Sequence, residues 1–186
     1  MENIITKGTG FSEYEARIKV LVLSSSVRFE NLASMFLRTV LKLEDSAIST
    51  GNTSQALSMN QKLILLLDSK LLDKEYKKYI KTFFDIRNQF VHNASAKSFE
   101  DCLTFLDGTE NFLEKKYKDK RTANEKAGGE RAAKEKADDE INNMELLSFN
   151  ISDKEKLLYK YWVSLAEDVI IGFEKMMAKI YPLNDK

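Results

Sequence analysis

The chain has 186 residues, 43% of them hydrophobic, with 29 Lys+Arg balanced by 29 Asp+Glu and a single cysteine, Cys102. That length suits one domain with an appended arm, and is enough to bury a core without metal or disulfide staples. The balanced charge gives no support for binding nucleic acid through a general basic surplus, and a lone cysteine excludes an intrachain disulfide and fits a reducing compartment.

One proline and seven glycines are few for a turn-rich β fold, so the composition predicts long helices and an all-α class. The N-terminal MENIITKGTG lacks the basic start and apolar run of a signal peptide. Apolar runs such as Leu63 to Leu67 are too short to cross a bilayer. A soluble, cytoplasmic protein with no membrane association is expected.

Four helix starts carry the capping-box pattern, in which a Ser accepts from a backbone N–H and an acid or amide three residues later bonds back. They are Ser12 with Glu15, Ser58 with Gln61, Ser98 with Asp101 and Ser152 with Glu155. In chain order, helical periodicity predicts a first helix from about Glu13 to Ser24 and a second from about Val27 to Leu43. The second places Phe29, Leu32, Phe36, Val40 and Leu43 on one stripe. Gly51-Asn52-Thr53-Ser54 reads as a loop. A third helix follows from about Met59 to Leu71, and a fourth from about Lys74 to Asn93, opened by Asp73 as N-cap. A fifth begins near Phe99, with a break or bend at Gly108.

From Glu110 to Glu145 the chain is dominated by Lys, Glu, Ala, Asp and Arg, with Gly128-Gly129 inside it. This predicts a charged helical arm or linker over 111–145, exposed to solvent and dispensable for folding, inserted between bundle segments 1–110 and 146–186. A last helix, about Asp153 to Ile180, aligns Leu158, Trp162, Leu165, Val169, Phe173, Met176 and Ile180, with Pro182 just beyond its end.

The stretch richest in chemistry is Phe84-Asp85-Ile86-Arg87-Asn88-Gln89-Phe90-Val91-His92-Asn93. On a helix, Tyr76, Phe83, Ile86 and Phe90 share an apolar face and Arg87 falls within that arc. A buried guanidinium needs a partner, such as Asp85 or Glu44, or a shared interface. His92 lies about 140° around the helix from Arg87, so the two converge only if the helix relaxes or a second copy crosses it. Near a helix C-terminus the dipole favours a protonated imidazole. One His and one Cys cannot build a common zinc site, and neither a phosphate-binding glycine loop nor a G-x-S-x-G elbow is present. No metal or cofactor is expected.

Arg87-Asn88-Gln89-Phe90-Val91-His92 resembles the R-x4–6-H motif of the HEPN superfamily. More narrowly, IRNQFVHN followed by SFEDC is similar to the mannitol operon repressor family, which is HEPN-like. The likeness covers about Val22 to Cys102 and the final helix, with the charged arm as an insertion. It implies a HEPN-like helical bundle that forms a homodimer with motif helices facing each other. Two functions are consistent with it. One is a dimeric regulator of the repressor type, acting mainly through contacts with a protein partner. The other is a metal-independent endoribonuclease, a toxin with an antitoxin or a phage-defence effector. In the second, the resemblance makes His92 a proton shuttle on RNA, Arg87 the stabiliser of phosphate charge, and Asn88 the orienting residue.

Overall fold

Serines inside a helix can bond back to the carbonyls of the preceding turn, and need not end it. Ser24 Oγ donates to the Leu21 carbonyl at 3.0 Å and Ser26 Oγ to that of Leu23 at 2.7 Å. The two helices expected on either side of Ser24-Ser25-Ser26 are therefore one, α1 (Glu13–Leu41). The computed structural model describes residues 13–51, 53–70, 72–126 and 149–180. Among them the regular elements are all helical: after α1 come a 3-10 turn (Ile48–Thr50), α2 (Met59–Asp68), α3 (Lys74–His92), α4 (Phe99–Thr104), α5 (Thr109–Lys126) and α6 (Asp153–Ile180).

The helix ends follow local chemistry. At the start of α2 the capping box closes in full, with Gln61 N donating to Ser58 Oγ and Ser58 N donating to the Gln61 side chain. The other two described boxes are half-made. Asp101 N donates to Ser98 Oγ and Glu155 N to Ser152 Oγ, both at 3.0 Å, but neither acid bonds back to its own cap. Ser12 lies outside the described residues, as do Pro182 and residues 127–145 of the expected arm. Asp73 has N-cap backbone geometry without a side-chain cap bond; its carboxylate takes Lys179 Nζ at 2.8 Å instead. α1 and α2 stop where Lys42 (φ 52) and Lys70 (φ 60) turn left-handed. In each case the next-turn amides bond back over the end, Leu43 N to Arg38 O and Leu72 N to Leu66 O.

α1, α3 and α6 form the central three helices, with α2 on α1, and α4 and α5 against α6. Their seam is aromatic. Phe29 meets Phe83 edge-on at 4.6 Å, Phe83 stacks on Trp162 at 5.7 Å, and Phe36 stacks on Phe173 at 5.4 Å. The stripe expected on the last helix is this core: Leu158, Trp162, Leu165, Val169, Phe173 and Met176 are buried. Gly172 permits the closest approach, because a Cβ there would sit 2.6 Å from Tyr76 Cδ1. By length and composition alone α1 is apolar enough to span a membrane. Its Ile18, Val22, Phe29, Ala33, Phe36 and Leu37 are instead buried in this core, as in a soluble protein.

The charged arm was expected to stand in solvent, but its first half packs. Gly108, at φ 70, turns the chain into α5. Leu113 is then buried, Phe112 stacks on Tyr79 at 6.1 Å, and Tyr117 meets Tyr161 at 5.1 Å. Lys78 Nζ covers the Phe112 ring at 4.1 Å, and Lys120 pairs with Glu167 at 2.5 Å. Three apolar side chains at helical spacing suffice to dock a helix whose other faces are charged. Leu113→Ala should therefore lower stability by about 2–3 kcal/mol, the usual loss for a truncated buried leucine. Urea denaturation followed by circular dichroism reads this directly, and an unchanged midpoint would return α5 to the status of a solvated arm.

Candidate functional site

α3 is strongly amphipathic, and its apolar side is set by spacing: Tyr76, Tyr79, Ile80, Phe83, Ile86 and Phe90 are all buried. The opposite strip carries Lys81, Asp85, Asn88 and His92, each three or four residues from the next. The helix ends at His92, and Asn93 closes it. Asn93 N donates to Gln89 O at 2.9 Å, and Asn93 Oδ1 accepts from Ser95 N at 2.9 Å. The chain then turns so that Phe99 meets Phe90 edge-on at 5.2 Å. Cys102 Sγ lies 3.7 Å from the Ile86 carbonyl. The end of α3 is thus held by α4, and its last turn is a regular helix.

Within that frame Arg87 is half-buried. Its Nη1 donates to Asn88 Oδ1 at 3.0 Å, and its Nε is buried with no hydrogen-bond partner. The acid partners expected for it are engaged elsewhere: Asp85 holds Lys81 at 2.6 Å and Glu44 accepts from Ser46. His92 is exposed in the last turn. The structure therefore brings Arg87 and Asn88 together and leaves His92 apart. The helix stays regular through its final turn, so the angle of about 140° between Arg87 and His92 is not relaxed within one chain.

A second polar feature was not anticipated from the sequence. Lys62, on α2, is fully buried, and its ammonium donates to Glu30 Oε1 at 3.2 Å and to the Gly51 carbonyl at 3.5 Å. Glu30 also lines a half-open cavity of about 300 Å³ between α1 and the loop that carries Gly51, Thr53 and Leu57. Arg38 braces that loop by donating through Nε to Thr50 Oγ1 at 2.8 Å. The available signal was a lysine on the inward side of α2, in register with Leu66.

A third cluster joins three helix starts. The buried Glu155 carboxylate accepts from Phe99 N at 2.7 Å, from Glu100 N at 2.8 Å and from the Tyr14 hydroxyl. Burial, together with this carboxylate, raises the Tyr14 pKa well above the usual phenol range. Among the described residues no group of three or more His, Cys, Asp or Glu is placed to hold a metal ion. No protein-family model matches the chain, and neither does any curated protein or solved structure searched.

Proposed function

We propose that the chain is a HEPN-like, dimeric regulatory protein of the mannitol-repressor type, cytoplasmic, acting through protein contacts and not through catalysis. One observation carries this reading. Arg87 is half-buried and tied to its neighbour Asn88, while His92 is exposed on another side of the same regular helix. General acid–base catalysis needs its proton carrier and its charge stabiliser around one reacting group. Here a single chain supplies them on divergent directions. The apolar surface left on α1 (Val20, Leu23, Val27 and Met35) suits contact with protein.

The alternative, a metal-independent HEPN ribonuclease with an antitoxin partner, draws support from the Asn88–Arg87 bond. That bond leaves the guanidinium Nη2 for a phosphate oxygen once a second copy brings its own His92 close. The deciding experiment is an RNA cleavage assay with EDTA present, on wild type, Arg87→Ala and His92→Ala. The regulatory reading expects the same background cleavage from all three. Wild-type cleavage that leaves cyclic phosphate ends, and that both substitutions abolish, would replace it with the nuclease. His92→Ala should be close to neutral for stability in either case, because an exposed terminal imidazole buries little surface.

A further inference from the structure

The outward side of α1 repeats at spacings of three and four residues through Ala16, Val20, Leu23, Val27, Asn31 and Met35, all exposed. Val20 is 66% exposed and Val27 55%, the two least covered residues of this stripe among the large hydrophobics. This spacing is that of a helix-pairing seam. The other exposed strip considered for pairing, on α3, carries Lys81, Asp85, Asn88 and His92. It offers little apolar area.

The two ends of the α1 seam carry opposite charges. Glu13 stands at its start, with a side chain 70% exposed, and Arg38 near its end. A parallel pair of α1 helices would set Glu13 on Glu13 and Arg38 on Arg38. An antiparallel pair sets unlike charges together at both ends.

We propose that this face is the contact between two copies of the chain, packed antiparallel about a two-fold axis that crosses α1 between Ser25 and Ser26. In that register Glu13 faces the partner's Arg38, Ala16 faces the partner's Met35, Val20 the partner's Asn31, and Ser24 the partner's Val27. Each small residue opposes a larger one, so the helices can approach closely, and the interface is isologous as a two-fold dimer requires. Arg38 can serve the contact because only its Nε and Nη2 are used on Thr50, leaving Nη1 for the carboxylate. The proposal rests on the dimeric part of the functional reading, but moves the contact from the motif helix, where the family resemblance implies it, to α1. Arg87 and His92 are then left outside the interface.

The test uses the full chain and two kinds of variant. Light scattering should give about 43 kDa for wild type, twice the 21.4 kDa of one chain. Val20→Glu and Val27→Glu should each give the monomer mass with an unchanged helical circular dichroism spectrum. Ser24→Cys should form a disulfide-linked dimer under mild oxidation. In the proposed register two copies of residue 24 are offset by three residues, about 4.5 Å along the axis, which leaves their Cα atoms within disulfide reach. Ala16→Cys should not cross-link, since two copies of residue 16 lie about 28 Å apart along the helices. The native Cys102 stays silent in this assay, because it is buried and its thiol pKa is pushed up to about 12, chiefly by that burial.

A monomeric wild type would overturn the proposal. So would a dimer that survives both glutamate substitutions, one broken instead by Val91→Glu on the motif helix, or equal cross-linking at residues 16 and 24. RNA cleavage is a separate readout, so failure of this interface is distinguishable from failure of the non-catalytic reading.

Discussion

Glu155→Ala is expected to lower the unfolding free energy by about 4 kcal/mol, because hydrogen bonds to a charged group contribute about 1.5–3 kcal/mol each and three donors lose their acceptor. Glu155 is 3% exposed, so water cannot readily replace it. Its loss strands the first amides of α4, at Phe99 and Glu100, and releases the Tyr14 hydroxyl of α1. The three elements it joins are far apart in sequence, so their docking should loosen together. For a chain of this size the melting temperature should fall by about 10 °C, at about 2–4 °C per kcal/mol. Tyr14→Phe removes one of the three bonds and should cost about 1–2 kcal/mol. Urea titration of both variants measures the difference. A Glu155→Ala loss no larger than that of Tyr14→Phe would show that the α4 amides do not depend on this carboxylate.

Glu30→Ala should cost about 3 kcal/mol, whereas Lys62→Met should be nearly neutral, because breaking a buried ion pair from one side strands a charge while an apolar replacement of similar shape removes it. Lys62 has no exposed side-chain area, and Glu30 is 37% exposed. Truncating Glu30 leaves the ammonium with the Gly51 carbonyl at 3.5 Å as its remaining partner. Methionine at position 62 fills similar space and needs no partner. Denaturation midpoints of the two variants, compared with wild type, decide the matter. Equal destabilisation by both would mean that the contribution of Lys62 is ionic attraction, and not the avoidance of an unpaired charge.

Both residues show where reading the chain stops. Glu155 carries the signature of a capping box with Ser152, and the Ser152 half of that box forms. The carboxylate itself turns to amides that lie 55 and 56 residues earlier. A local motif specifies which groups are able to bond; competition from a buried, otherwise unsatisfied helix start decides which bond forms. The same holds for Asp73, whose carboxylate goes to Lys179 in place of its own helix. Arg87 was legible as a residue on the edge of an apolar arc, but its partner was not. The acids considered for it are held by Lys81 and Ser46.

By itself the sequence determined the all-helical class, the extents of α3 and α6 to within a residue, the turn at Gly108, and the inward faces of those two helices. Each of these depends on residues within a few positions of one another, where capping, backbone freedom and 3.6-residue periodicity act. Only the tertiary structure decided that α1 runs unbroken through three serines, that α5 docks on α6, and that Lys62 is buried against Glu30. Periodicity tells which side of a helix avoids water but not what covers it, since the hydrophobic effect has no direction of its own. The covering surface is chosen by contacts between segments distant in the chain, and there a Leu113, a Gly172 or a lone buried lysine decides the outcome.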